Sequence, residues 1–178
     1  DRQYEDIFQI QDEITAAIMT SLRVHLLGDA EDRMHAEVAR DMDAYSAYLI
    51  GRERMALRTE DSLRDAVAQF EKAIELDPAY APPRIQLAHA WLLLEEPIYG
   101  GDKVDPADVD RIVEPQLATA LQLTPDSPEA IGVKGLHNLK RNQYDEAKAA
   151  FDRAIALNPN YADAYAWRAE IDPELPGA

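Results

Sequence analysis

A repeated segment constrains the fold of this chain more than any other feature of its sequence. The segment 66–78 recurs at 147–159 with the same residue type at nearly every apolar and helix-ending position, and a weaker copy between them ends at Pro125. The prolines at 78, 125 and 159 lie 47 and 34 residues apart, so the basic period is 34 residues and the middle unit is longer. Because self-similarity at such a period is typical of stacked repeat architectures, the chain is expected to be a solenoid.

Within each copy, the apolar residues follow the period of an α-helix. Ala66, Phe70 and Ala73 recur at steps of three and four residues, which predicts an amphipathic helix with one buried face. A proline ends each copy because its ring cannot donate a backbone hydrogen bond. A pair of such helices is too thin to bury its own apolar faces, so the pairs must stack. The sequence therefore predicts an all-α chain with a concave inner face.

The spacing of alanine, phenylalanine, alanine and proline over a period of 34 residues resembles the second half of a tetratricopeptide repeat (TPR). The first half of that motif places a large residue and then a small one on the preceding helix. Three pairs fill these positions: Ile50 and Gly51, Leu87 and Ala88, and Ile131 and Gly135. The resemblance implies a right-handed superhelix with units at about 44–80, 81–127, 128–161 and a truncated unit at 162–178.

One interval departs from the regular spacing of the repeat. Gly51 and Ala66 lie 15 residues apart, whereas Gly135 and Ala147 lie 12 apart. We expect the three additional residues to lengthen the turn near Arg58 to Ser62.

Residues 1–43 do not follow the repeat. An apolar stripe from residue 4 to about 27 predicts a long amphipathic helix closed by Gly28, and the charged stretch 29–42 is expected to be a connector or a short frayed helix. The first repeat helix should then begin near Asp43, a plausible N-cap. The stripe, a candidate docking or dimer surface, contains Ile7, Ile10, Ile14, Ile18 and Leu22.

The segments 4–15, 44–52 and 73–78 together are similar to a junction found in multidomain bacterial signalling proteins. In that family a TolB-like domain precedes the junction and TPR units follow it. The output domain of such proteins is a class III adenylate cyclase or a winged-helix transcription regulator. The resemblance implies that this chain, which begins at Asp1, is a piece of a larger signalling protein; its residues include no cyclase motif, so no catalytic residue is expected here.

The composition limits the partners of the chain. With 34 acidic and 18 basic side chains, its net charge of -16 disfavours binding to nucleic acids and to anionic membranes. The absence of cysteine excludes disulfides and thiolate zinc sites. No apolar run approaches the ~20 residues that span a bilayer. We expect a cytoplasmic protein, or a periplasmic one if a membrane span lies upstream.

The first helix of each repeat should line the concave face, which allows candidate contact residues to be placed. This surface is apolar and aromatic with two basic side chains, which suits an extended segment or an amphipathic helix. Lys and Asn, which hold acidic tails in the carboxylate clamps of some TPR domains, are replaced by residues such as Gly132, Val133 and Ile85. The alternative is that the candidates pack against each other or against the helix at 4–27. The candidates are Tyr45, Tyr48, Arg52, Met55, Ile85, His89, Leu92, Gly132, Leu136 and Leu139.

The insertion at 95–108 is the remaining candidate for special chemistry. Its aspartates lack the spacing of an EF-hand, and the pair Asp105 and Pro106 is instead expected to begin a helix. The four histidines lack the spacing of a zinc motif, and no metal, cofactor or catalytic residue is predicted. The sequence thus favours a non-catalytic module that binds a protein, a peptide or a second copy of itself. The alternatives are a fragment that completes an enzyme or metal site through residues 95–110, and a periplasmic scaffold.

Overall fold

The computed structural model describes residues 29–99 and 103–171, and describes side chains from residue 42 onward within those ranges. The predicted helix at 4–27 lies outside the described residues. The chain divides into two compact units, residues 1–41 and 42–178, and the side-chain contacts below belong to the second. Within the described ranges the regular structure is entirely helical: α1 (Asp29–Ala56), α2 (Glu60–Leu76), α3 (Ala81–Leu94), a 3-10 turn (Pro97–Tyr99), α4 (Pro106–Leu123), α5 (Pro128–Lys140), α6 (Tyr144–Leu157) and α7 (Ala162–Ile171).

The helices pack in the order that a helix-pair solenoid requires. Helix α3 packs against α2 and α4, α5 packs against α6 and α3, and α7 packs against α6. One apolar core joins α3, α4 and α5, and a second joins α1, α2 and α3. The prediction of an all-α solenoid is therefore confirmed. None of the described helices has the length and apolar character needed to cross a membrane.

Two glycines show how the paired helices approach each other. A Cβ added at Gly51 would lie 2.5 Å from Cε1 of Phe70, and one added at Gly135 would lie 2.6 Å from Cε1 of Phe151. Both phenylalanines are fully buried. Because real Cβ atoms do not come so close to a ring, only glycine allows the ring to sit against the neighbouring backbone. In both the first and the third helix pair, the glycine of the first helix thus makes room for the phenylalanine of the second helix.

The predicted longer turn near Arg58 to Ser62 is wrong. The turns at 57–59 and 141–143 both have three residues, and each contains one residue in the left-handed region, Arg58 (φ 53°) and Asn142 (φ 58°). The additional residues lie instead at the start of α2, which has 17 residues against 14 in α6. Thr59 and Ser62 form a capping box that satisfies free backbone N–H groups there, so the helix begins earlier.

The beginning of α1 also differs from the prediction. The helix is continuous from Asp29 to Ala56, so the expected connector at 29–42 and the expected start near Asp43 are both wrong. Residues 29–50 contain neither glycine nor proline and are rich in Ala, Glu, Arg and Met. Their helix propensity carries the helix through the candidate N-cap.

The start of α4 confirms the prediction for the end of the insertion. Asp105 is the N-cap, and its Oδ1 accepts a hydrogen bond from the backbone N–H of Ala107 at 2.8 Å. Pro106 occupies the first turn, where its missing N–H costs no hydrogen bond.

Candidate functional site

A groove with a volume of about 490 Å³ lies between helices α1 and α3 and extends to the starts of α5 and α7. Five predicted contact residues line it: Tyr48, Arg52, Met55, Ile85 and His89. They lie one or two helical turns apart on α1 and α3, so their side chains face the same space. The structure thus brings together the part of the predicted surface that belongs to the first two repeats.

The other predicted residues lie elsewhere. Leu92 and Leu136 are 0% and 7% exposed and belong to the core shared by α3, α4 and α5, so their prediction as groove residues is wrong. The physical reason is that Trp167 of α7 packs against this core. Leu139 is half-buried outside the groove, and Tyr45 is exposed with its ring 6.4 Å from that of Tyr48.

Gly132 has a packing role instead of a contact role. A Cβ at Gly132 would lie 2.6 Å from Cε1 of Tyr161, which itself lines the groove. Tyr161 therefore occupies the space in front of this part of α5.

Aromatic rings form the wall on the side of α1. The Tyr48 ring lies 6.2 Å from that of Phe70 and 5.4 Å from that of Tyr80, the latter edge to face. The guanidinium of Arg52 lies 5.8 Å from the centre of the Tyr48 ring, within the range of a cation–π contact. Burial raises the pKa of Tyr80 to about 12, so its hydroxyl stays protonated. This wall is aromatic, and it carries the positive charge of Arg52 at its edge.

His89 forms the floor of the groove and is uncharged at neutral pH. His89 is 7% exposed, and its ring contacts the Trp167 ring edge to face, with the ring centres 5.4 Å apart. Burial, together with the positive charges of Arg58 and Lys140, lowers the pKa of His89 to about 3. A neutral imidazole beside an indole presents a largely apolar surface to a ligand.

Trp167 packs against His89 of the groove, and the sequence analysis did not identify it. Its ring lies 6.0 Å from both Phe151 and Tyr161, so α7 inserts one aromatic side chain among three repeats. The sequence signal was a large aromatic residue in the truncated last unit, but its contact with α3 depends on how tightly the superhelix curves.

Charges of both signs line the groove without pairing. Arg52 and Arg58 lie on the α1 side, and Glu129 and Asp163 lie in the first turns of α5 and α7. Burial, together with the charges of Asp163 and Glu129, raises the pKa of Tyr161. Within residues 42–99 and 103–171, none of these four charged side chains forms an ion pair. The groove therefore has a basic side and an acidic side.

A second polar region, the Arg141 cluster, consists of Glu95, Asp110, His137 and Arg141. Arg141 donates from Nε to Oδ1 of Asp110 at 2.8 Å and from Nη1 to Oε1 of Glu95 at 2.7 Å. Nε2 of His137 lies 2.7 Å from the same Oδ1 of Asp110. Burial opposes ionisation of Asp110, but the hydrogen bonds from Arg141 and His137 outweigh it and lower the pKa of that carboxyl. The cluster links Glu95, at the start of the insertion, and Asp110, just after it, to Arg141 at the end of α5.

Part of this cluster also has the geometry of a cation site. Ligand atoms of Asp110, Glu114 and His137 all lie within 4.8 Å of one another. The histidine motifs considered from the sequence did not show this group, because His137 and Asp110 are 27 residues apart. However, Asp110 already accepts hydrogen bonds from Arg141, a fixed positive charge that a cation would have to displace. The arrangement is thus explained as an ion-pair network.

Comparison with known proteins agrees with this geometry. A family model described as TPR repeat matches residues 136–175. The Arabidopsis OM64 TPR domain superposes with a TM-score of 0.58 at 18% identity, covering 76% of this chain and 99% of that domain. The first TPR of Spaghetti (RPAP3), solved with an HSP90 peptide, gives a TM-score of 0.57 at 17% identity, covering 75% of this chain and 93% of that one.

A similarity in sequence points to a larger protein. The chain is 32% identical over 88 residues to the putative adenylate cyclase 3 of Rhizobium meliloti (strain 1021). The aligned residues make up 49% of this chain and 15% of that protein. The matched region is thus a small fraction of that relative. The helix pairs, the interlocked glycines and these matches show that the described residues have the fold of TPR solenoid domains, and residues 136–175 match the TPR repeat model itself.

Proposed function

We propose that this array is a non-catalytic protein-interaction module that holds a peptide segment of a partner in the groove. The observation that carries the proposal is the groove itself, with a neutral His89 floor, an aromatic wall and exposed charges that form no ion pair within the described residues. Extended peptides bind such surfaces through apolar anchors, with polar groups setting their orientation. The similar fold of RPAP3, solved with an HSP90 peptide, supports this mode of binding.

The ligand is expected to differ from the acidic tails that carboxylate clamps hold. The positions that would supply Lys and Asn carry Ile85, Gly132 and Val133 here, and Gly132 faces the ring of Tyr161. Among the residues that line the groove, α5 contributes Glu129, which would repel a terminal carboxylate.

A blocking variant tests the proposal. A library of random 12-residue peptides would be selected against the full 178-residue chain, and the enriched peptides measured by fluorescence anisotropy. Ala56→Trp adds bulk at an exposed residue that lines the groove, so we expect at least a tenfold loss of affinity. Ala156→Trp, at an exposed position of α6 that does not line the groove, is the matched control. Equal affinities for both variants would contradict the proposal.

The finer proposal concerns the parent protein. We propose that the module regulates or couples the signalling domain of a larger cytoplasmic bacterial protein, such as an adenylate cyclase or a transcription regulator. The match to the putative adenylate cyclase supports this context. The apolar stripe of the predicted helix at 4–27 would then serve to dock or to pair two copies. Deletion of residues 1–28 should convert a dimer into a monomer in light scattering; the same number of chains per particle before and after deletion would contradict the pairing role.

A further inference from the structure

We propose that the groove selects a peptide segment in which an apolar residue stands between an acidic residue and a basic residue. This inference rests on the proposed function, because it specifies the ligand of the same groove. The acidic residue would meet Arg52 and Arg58, and the basic residue would meet Glu129 and Asp163. The apolar residue would lie on the floor between them.

The basic side is suited to a carboxylate. Arg52 is held over the face of the Tyr48 ring, a contact that leaves the edge of its guanidinium free to donate hydrogen bonds. Arg58 lies in the turn after α1, where its positive φ fixes the direction of the chain. Arginine binds carboxylates with two parallel hydrogen bonds, and such charge-assisted bonds are stronger than neutral ones.

The acidic side is suited to a lysine or an arginine. Glu129 and Asp163 lie in the first turns of α5 and α7, where negative side chains interact favourably with the helix dipole. Glu129 accepts a hydrogen bond from the hydroxyl of Ser127 at 3.1 Å, which orients its carboxylate. Both carboxylates line the groove together with Tyr161, so this side of it carries two negative charges.

The floor is suited to an apolar side chain. Met55 and Ile85, two apolar residues that line the groove, are 6% and 4% exposed. His89 is held by the Trp167 ring, and beyond it Leu92 and Leu136 are buried in the core. The groove therefore does not continue along the array, and a bound segment must cross from the basic side to the acidic side.

The charge of the chain disfavours simpler ligands. A purely acidic segment would be repelled by Glu129, Asp163 and the net charge of -16. A purely basic segment would be attracted at long range but would meet Arg52 and Arg58 in the groove. Only a segment with both signs finds opposite charges on both sides.

Charge reversal on each side separately tests the inference. Peptides from the random 12-residue library would be selected for binding to the full chain, to R52E/R58E and to E129K/D163K in parallel. All four replaced side chains are exposed, so the fold should persist, and circular dichroism would verify this. We expect the unmodified chain to enrich peptides with Asp or Glu and Lys or Arg around an apolar residue. R52E/R58E should lose the acidic preference alone, and E129K/D163K the basic preference alone.

Synthetic peptides then give the size of each effect. Replacement of the acidic residue of an enriched peptide by glutamine should weaken binding to the unmodified chain at least tenfold. The same replacement should strengthen binding to R52E/R58E, because it removes a repulsion between like charges. Arg153→Glu, which changes an exposed arginine outside the groove, is the control and should not alter the selected pattern. If charge reversal unfolds the chain, the neutral variants R52Q and D163N carry the same test with smaller effects.

The outcomes separate the two proposals. One outcome would overturn this inference and leave the peptide-binding function standing: Ala56→Trp weakens the binding of the enriched peptides, but all charge variants select the same charge pattern. If no peptide binds in a manner sensitive to Ala56→Trp, both proposals fail.

Discussion

The groove and the Arg141 cluster contain the same kinds of residue but use their charges differently. In the cluster, Arg141 is only 17% exposed and reaches the carboxylates of both Glu95 and Asp110. In the groove, Arg52 and Asp163 are exposed and form no ion pair within the described part of the chain. A charge removed from water must be paired, whereas an exposed one retains its hydration until a partner arrives.

The two regions also differ in what they connect. The cluster joins the end of α3, the start of α4 and the end of α5, with one more hydrogen bond from Nη2 of Arg141 to the carbonyl of Pro106 at 3.2 Å. Residues this far apart along the chain contribute to the stability of the stack when they bind one another. The difference indicates that the cluster supports the fold and that the groove charges support binding, a separation that variants can test.

Replacement of Arg141 should have the largest effect on stability. Arg141→Met leaves Glu95 and Asp110 partly buried without their shared partner, and we expect the free energy of unfolding to fall by about 2–3 kcal/mol. Urea denaturation measures this change. The affinity for a groove peptide, measured on the folded protein, should stay within about twofold.

An exposed arginine provides the matched control. Arg153 pairs with Asp126 at 3.0 Å, but the two side chains are 58% and 77% exposed. Arg153→Met should therefore cost less than about 0.5 kcal/mol. Similar losses for the two variants would show that burial does not distinguish the cluster, and the comparison would fail.

Acidification should act next most strongly, through the groove floor. The pKa of His89 is about 3 in the folded chain and near its ordinary 6.5 in the unfolded one. Only the unfolded state therefore gains this proton as the pH falls below 6.5, and the stability that His89 contributes at neutral pH is lost between pH 6.5 and 3. We expect a loss of about 1–2 kcal/mol between pH 7 and pH 5 from this residue.

The variant His89→Gln isolates that contribution, because the many carboxylates of the chain also titrate in acid. Urea denaturation of both proteins at pH 7, 6 and 5 should show the unmodified chain losing more stability than the variant. Parallel pH dependences would mean that the floor is open to protons and that His89 is not held neutral.

The fold could be predicted from the sequence because its determinants are local. The 34-residue period places Gly51 against Phe70 and Gly135 against Phe151, and these contacts need only the pairing of successive helices. The start of α1 was mispredicted because a capping residue at Asp43 is a weaker determinant than uninterrupted helix propensity on both sides.

The site could be predicted only in part. Five residues of α1 and α3 face one groove because they follow from helical steps within adjacent repeats, and their role in binding stays a prediction. Trp167, Glu129 and Asp163 were missed because they reach the groove from later units, and the period alone does not determine the curvature that brings those units near. The Arg141 cluster was missed for a related reason: Arg141 and Glu95 are 46 residues apart.

A glycine at position 58 should give a small effect on stability and the sharpest separation of binding from stability. Arg58 adopts φ 53°, a left-handed conformation that strains residues with a Cβ. Arg58→Gly should therefore raise the free energy of unfolding by about 0.5–1 kcal/mol. The same variant should lower the affinity for a groove peptide that carries an acidic residue. Asn142→Gly, in the equivalent turn at φ 58°, should gain less, because asparagine tolerates this region better, and should leave binding unchanged. Denaturation and anisotropy on both variants would measure the two quantities. A variant that becomes more stable and yet binds less well would show that Arg58 occupies a strained turn for the sake of its charge, whereas a loss of stability with unchanged affinity would assign Arg58 to the fold.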